Sequence, residues 1–265
     1  MYPQGVGVKR FTMSDDEFMA YLDASKITGE VATARENNLS HIQGFIDGNE
    51  HLEFGVKWTR PWTYEDVFEV MTRRVGIVSD PEFRMGQDTI SARLCVDALR
   101  RYARIFGAAV REKKSLLFAT GHPAGLFPIY AQMAHIARSH GAQVLSIREG
   151  ERFLDGDLRQ IFDVIVFEQY GGLQHTHFPG PMDIALSQLS ERGIVPDLVI
   201  ADHGLAGFAA SVGVDTIGIA DCNDPGLFVS AEQGHILEVV PMDDNVTPHL
   251  YAPVIEFILT EAELI

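Results

Sequence analysis

The chain has 265 residues, 46 % of them hydrophobic, a mean hydropathy of +0.03 and two cysteines, Cys95 and Cys222. This composition describes a globular chain with a sizeable core and excludes a disulfide framework or a zinc ribbon. The formal net charge of −16 is lopsided, since residues 115–265 hold five arginines, no lysine and twenty acids, which argues against a nucleic-acid surface there and excludes Schiff-base chemistry.

No apolar run approaches the ~20 residues needed to span a bilayer, and the N-terminal MYPQGVGVKRFTMSDDEF lacks the apolar core of a signal peptide. The expectation is a cytoplasmic protein with neither membrane nor nucleic acid as partner. An anionic substrate would need screening by a divalent metal, by helix N-termini or by the few arginines.

Residues 1–12 read as an irregular lead-in. Ser14 before Asp15, Asp16 and Glu17 starts a helix that ends near Thr28-Gly29. The segment GEVATARENNLSHIQGF (29–45) reads either as a turn with a solvated helix face or as an arm bringing Arg35 to a site as an anion clamp. Residues 46–62 look like a loop or a short strand pair. Thr63 with Asp66 resembles a capping box for a helix over 64–74, and a long amphipathic helix runs from about Thr89 to Lys113. The C-x5-R spacing from Cys95 to Arg101 lies within that helix and cannot form a phosphate loop.

From Ser115 the pattern changes to alternating strands and helices. Strands are expected at 115–119, 142–147, 164–168, 198–201, 216–220 and 236–240, with helices over 127–140, over 181–192 and from about Pro253. Continuous apolar runs such as Leu198 to Ala201 suit parallel strands buried on both faces. The fold class is therefore α/β: a three-layer, Rossmann-like, doubly wound and mainly parallel sheet of about six strands. A helical region (1–114) packs on this core (115–265), which carries the site. The expected strand order 3-2-1-4-5-6 makes the first and fourth strands neighbours at the switch point where ligands bind. Their loops, TGHPAGLF (120–127) and DHGLAGFA (202–209), resemble each other. Thr120, Gly121, Gly125 and Gly204 would let backbone amides cradle an anion.

Several side chains could carry chemistry. His122 lies in a Gly/Pro-flanked turn, as a ligand contact or a turn stabiliser. Asp202-His203 follows a buried strand, functional or with Asp202 as an N-cap. Asp221, Asn223 and Asp224 offer three oxygen ligands suited to Mg²⁺, or an Asx turn before Pro225. His175 and His177 have metal-pair spacing, but on the assumed order their strand lies at an edge, two strands from the switch point, and Glu168 shares that position. Asp243 and Asp244 read as a metal or supporting pair, or as solvated loop acids. His41, His51, His135, His140 and His235 read as surface or packing residues. G-x-x-x-x-G-K-[ST], G-x-G-x-x-G, G-x-S-x-G and H-E-x-x-H are all absent, and Asp155-Gly156-Asp157 sits on a polar segment rather than at a buried strand end.

The segments GEVATARENNL (29–39), GQDTI (86–90), ATGHPAGL (119–126), ADHGLAGFAA (201–210), ADCNDPGLF (220–228) and PMDDNV (241–246) resemble a family of actinobacterial proteins that carry the label "phosphatase". The resemblance spans nearly the whole chain. It implies activity on a small phosphorylated metabolite, and it includes Arg35, Asn37, Asn38, Gln87 and Asp88, implying that the helical third folds over the site. The expectation is a metal-assisted phosphoric-ester hydrolase. Asp202, Asp221 and Asp224, with His175 and His177, are candidate ligands of a divalent ion, Mg²⁺ foremost. His203 or His122 would be the acid–base group, with Arg35, Asn223 and the glycine loops binding the anion. The alternatives are a sugar-phosphate isomerase or lyase and a non-catalytic small-anion- or nucleotide-binding protein on the same fold; a homodimer is the default assembly.

Overall fold

The computed structural model describes residues 8–265; positions 1–7 of the expected lead-in lie outside the described residues. Ser14 and Glu17 close a capping box on α1 (Asp15–Ala24). After β1 (Gly29–Ala34) and α2 (Arg35–Ile46), residues 47–62 run as turns and loop. Thr63 and Asp66 make the expected box on α3 (Tyr64–Arg74). β2 (Gln87–Ile90) precedes α4 (Ala92–Arg111).

β1 and β2 pair antiparallel, with Gly29 opposite Ile90 and Ala34 opposite Gln87. This small sheet replaces the expected turn at residue 29 and the expected helix start at Thr89. Its partners lie far apart in sequence, so no short-range hairpin signal announces it.

The α/β part runs β3 (Ser115–Ala119), α5 (Phe127–Ser139), β4 (Gln143–Val144), β5 (Arg152–Phe153), β6 (Gly156–Ile161), β7 (Val164–Gln169), β8 (Gly172–Leu173), α6 (Gly180–Glu191), β9 (Leu198–Asp202), α7 (His203–Ser211), β10 (Thr216–Ala220), α8 (Pro225–Glu232), β11 (Glu238–Pro241) and α9 (Ala252–Glu261). These strands form one nine-stranded sheet in the order β11-β10-β9-β3-β7-β6-β5, with β4 also on β3 and β8 also on β7. β11, β10, β9, β3 and β7 run parallel; β6 pairs antiparallel with both β5 and β7, and β8 antiparallel with β7.

The first and fourth parallel strands, β3 and β9, are neighbours as expected. The rest of the order needs correction. β4 pairs only at Ser115–Leu116, and the second half of β3 is left for β7, through Phe118 opposite Val164 and Ala119 opposite Ile165. β7 therefore lies beside β3 rather than at a remote edge. The polar segment around Asp157 is likewise a strand, pairing with β7 from Asp157–Glu168 to Ile161–Val164.

Alternate strand residues face opposite layers. Leu116, Phe118, Ile200 and Val240 share a core with α1, α4, α5 and α9. Leu117, Ala119, Val199 and Ala201 share another with α2, α3, α6, α7 and α8. Both cores draw on residues from before and after position 114, so the helical third is fused to the sheet by buried apolar area, the main stabilising term in such folds. No helix among the described residues is long and apolar enough to cross a membrane.

Candidate active site

The parallel strands end together along one edge, and the loops beyond those ends converge. From β9 the chain passes directly into α7 through His203, a non-glycine residue at φ 48°. Such left-handed backbone costs energy and persists where its surroundings impose it. Asp202 sits at the N-cap position but its side chain makes no cap bond. Its Oδ1 instead accepts from His203 Nδ1 at 2.7 Å and from the Gly121 amide at 2.8 Å. That fixes the tautomer of His203 and turns its Nε2 lone pair toward the cluster.

The loop after β8 delivers His175 and His177, which the adjacency of β7 and β3 brings to the switch point. His177 Nδ1 donates to the His51 carbonyl at 2.7 Å, so its Nε2 also presents a lone pair. His175 Nε2 stands 3.0 Å from His177 Nε2 and 3.2 Å from His203 Nε2. His122 stacks on His175 with ring centroids 4.4 Å apart, and its Nδ1 lies 3.0 Å from Asp244 Oδ1, outside hydrogen-bonding alignment.

The carboxylates lie on the other side. Asp244 Oδ2 is 3.6 Å and Asp224 Oδ2 3.8 Å from His203 Nε2. Asp221 accepts from Thr33 Oγ1 at 2.8 Å and from the Cys222 amide at 2.6 Å. Asp224 accepts from the Asp221 amide at 3.1 Å and its own amide donates back to the Asp221 carbonyl at 3.1 Å, so the turn before Pro225 is closed by backbone and by a side chain reaching backward, not by the expected Asx turn. Asp243 caps the Asn245 amide and is itself buried, not a solvated loop acid.

Burial sets the protonation states. It lowers His175 to about 3, with neighbouring imidazoles adding to the effect, His177 to about 4 and His203 to about 3. His122 is lowered for the same reason. Burial also raises Asp202 to about 6, and Asp221 to about 6 with help from Asp243. Asp224 and Asp244 are pushed well above the usual carboxylate range by burial and by neighbouring carboxylates. The site is thus rich in neutral imidazole and crowded with carboxylate.

Three sets of side chains each place their ligand atoms within 4.8 Å of one another: His122/His175/His203, His203/Asp224/Asp244 and Asp221/Asp243/Asp244. Two observations say that a cation fits. First, His203 and His177 both direct lone pairs at His175, which can donate only one Nε2–H. Burial disfavours protonating any of the three, so a lone pair is left facing nitrogen. Second, the buried Asp244 Oδ2 has no hydrogen-bond partner. A cavity of about 550 Å³ opens on this cluster, lined by His41, His51, Phe167, His175, His177 and Phe178 among others, with no lysine or arginine in its wall.

Some expected roles change. Arg35 is fully buried, ion-paired with Asp88 at 2.7 Å and donating to the carbonyls of Phe83 and Asp80, so it is no free anion clamp. Asn223 donates to Asn37 at 3.1 Å, tying its loop to α2. A Cβ at Gly121, Gly125 or Gly204 would strike the backbone of Thr176, Asp244 or His177 respectively. These glycines seat the loops that carry the histidines and aspartates, and what they admit is protein backbone, not an anion. Thr120 accepts from the His122 amide. Asp202 holds His203 instead of joining the ligand sets, and Glu168 binds its own hairpin turn and Arg159. Thr33 went unseen in the sequence, and His41 and His51, read there as surface or packing residues, line the cavity. His41 and His51 had no local partner there, and Thr33 lies in a strand whose pairing is long-range.

The sequence profile of a family described as Phosphatase matches residues 13–265. A Streptomyces coelicolor protein named Phosphatase SCO2771 is 43 % identical over 256 residues, covering 96 % of this chain and 98 % of that protein.

Proposed function

Because the chain belongs to the Phosphatase family, we propose that it hydrolyses the phosphate ester of a small metabolite at the histidine–aspartate cluster, assisted by a divalent cation. The observation that carries this reading is the convergence of His175, His177 and His203 on one point beside Asp224 and Asp244. On the Rossmann-like reading of the sheet, this point is the switch-point crevice. The residues that would hold a cation are His203, Asp224 and Asp244, flanked by His122 and His175 on one side and by Asp221 and Asp243 on the other. A bound ion would supply charge neutralisation for the phosphoryl oxygens, which no lysine or arginine of the cavity wall offers.

The chain's own residues do the rest. Asp202 holds His203 in its ligand tautomer, as the His51 carbonyl does for His177. Phe54 packs its ring 5.8 Å from His203 and 5.1 Å from His177, keeping water off that flank. His122 is the acid–base group: it stacks on His175 beside the cluster, and burial favours its neutral form, which can accept a proton from the attacking water. The mixed imidazole–carboxylate donors favour Mn²⁺ or Zn²⁺ over the Mg²⁺ that an all-oxygen set suggests.

The test is phosphate release from a panel of phosphorylated metabolites by chelator-treated and Mn²⁺-reloaded protein. We expect release only after reloading, and a loss of about 100-fold or more in Asp221→Ala with melting behaviour retained. Undiminished release after chelation would remove the cation from the reaction. A rearranged product without free phosphate would replace hydrolysis with isomerisation.

A further inference from the structure

The three candidate ligand sets are not alternatives in space but links of a chain. The first and second share His203; the second and third share Asp244. The donor types also sort along it, with imidazoles at one end and carboxylates alone at the other.

Charge points the same way. Asp202, Asp221, Asp224, Asp243 and Asp244 are all at most 5 % exposed. Among the described residues, no lysine or arginine forms an ion pair with any of them. Histidines supply the ion-pair contacts they have. Buried carboxylates without counter-charge are costly, and a single divalent ion at either end of the chain of sets leaves the carboxylates of the other end without a cation. Asp244 is placed to serve two ions. Its Oδ1 faces His122 and its partnerless Oδ2 faces His203, while its carboxylate also lies within ligand range of Asp221 and Asp243.

We propose that the site is a two-ion centre bridged by Asp244, with one divalent ion held by His203 and Asp224 and a second by Asp221 and Asp243. This rests on the reading of the cluster as a cation-assisted phosphatase site and adds the number and division of the ions. The histidine side suits Mn²⁺, Zn²⁺ or Fe²⁺ and the carboxylate side suits Mg²⁺ or Mn²⁺. Paired ions of this kind clamp the attacking and leaving oxygens of an in-line phosphoryl displacement.

The experiment counts ions and needs no substrate. Chelator-stripped full-length protein is dialysed against Mn²⁺ to saturation, and bound Mn²⁺ is measured by elemental analysis, with the electron paramagnetic resonance signal recorded in parallel. We expect two Mn²⁺ per chain with a spin-coupled signal. Asp224→Asn and Asp243→Asn, on opposite sides, should each retain one uncoupled ion, and Asp244→Asn should lose the coupling. One Mn²⁺ per chain in the wild-type protein would overturn the two-ion centre and leave cation-assisted hydrolysis standing. No bound Mn²⁺ would remove both. Two ions in the wild type that persist, uncoupled, in both single variants would place them elsewhere and overturn the assignment. Circular dichroism of the variants separates lost ligands from lost fold.

Discussion

The histidines and aspartates of the cluster are shifted in opposite senses, and the two shifts act differently on acidification. His175, His177 and His203 are lowered to about 3, 4 and 3, so between those values and the ordinary 6.5 the folded chain binds fewer protons than the unfolded one. Their contribution to stability is complete above pH 6.5 and falls as pH drops below it. Asp202 and Asp221, raised to about 6, behave in reverse. The folded chain holds their protons between about 6 and the ordinary 3.8, so acidification through 6 relieves a cost present at neutral pH. For cation binding the consequence has one sign. The imidazoles stay neutral ligands down to about pH 4, whereas the ligand carboxylates are raised into competition with protons, Asp221 to about 6. The rise in melting temperature produced by Mn²⁺ should therefore be large at pH 7.5 and shrink strongly by pH 5.5. An equal rise at both values would show that these carboxylates do not hold the ion.

At the level of elements, the β1–β2 pair explains why the N-terminal third matters to a site built on the other two. β1 carries Thr33 to Asp221, and α2, which follows it, begins with Arg35. Asp88 on β2 receives Arg35 at 2.7 Å, Asn38 at 2.9 Å and the amides of Val78 and Thr89 at 2.8 and 2.9 Å. Removing the guanidinium leaves this carboxylate buried and undercompensated. Arg35→Ala should cost about 3–5 kcal/mol in denaturant unfolding. A loss below about 1 kcal/mol would show that the pair is not the clasp.

That clasp also marks where the sequence stopped being readable. The strands β3, β7, β9 and β10 announce themselves as apolar runs, β11 follows from ILEVV despite Glu238, and the capping boxes at Ser14 and Thr63 are local. Asp202, His203, Asp221 and Asp224 stood out because they close such runs. The pairing of β1 with β2, the stunting of β4 and the polar strand β6 depend on partners distant in sequence or on edges that alternation alone does not rank. The placement of His175 and His177 hung on that stunting: one shortened strand moved their loop from the periphery to the centre. Arg35 was legible as unusual, but not as internal, because a buried ion pair and an anion clamp use the same residue type.

The molecule as a whole sets a large negative charge around a cavity whose wall holds no lysine or arginine. Enzymes for anionic substrates commonly gather them from solution with a positive field, and their association slows when salt screens it. Here the long-range field of −16 charges repels a phosphate ester, and attraction begins only at contact range. Raising ionic strength from about 0.01 M to about 0.15 M shortens the reach of that repulsion from roughly 30 Å to roughly 8 Å. kcat/KM should accordingly rise with salt over this range; a fall would mean that a positive field reaches beyond the cavity mouth. The same repulsion acts on departing inorganic phosphate, so a chain that is slow to capture its substrate is also quick to clear its product.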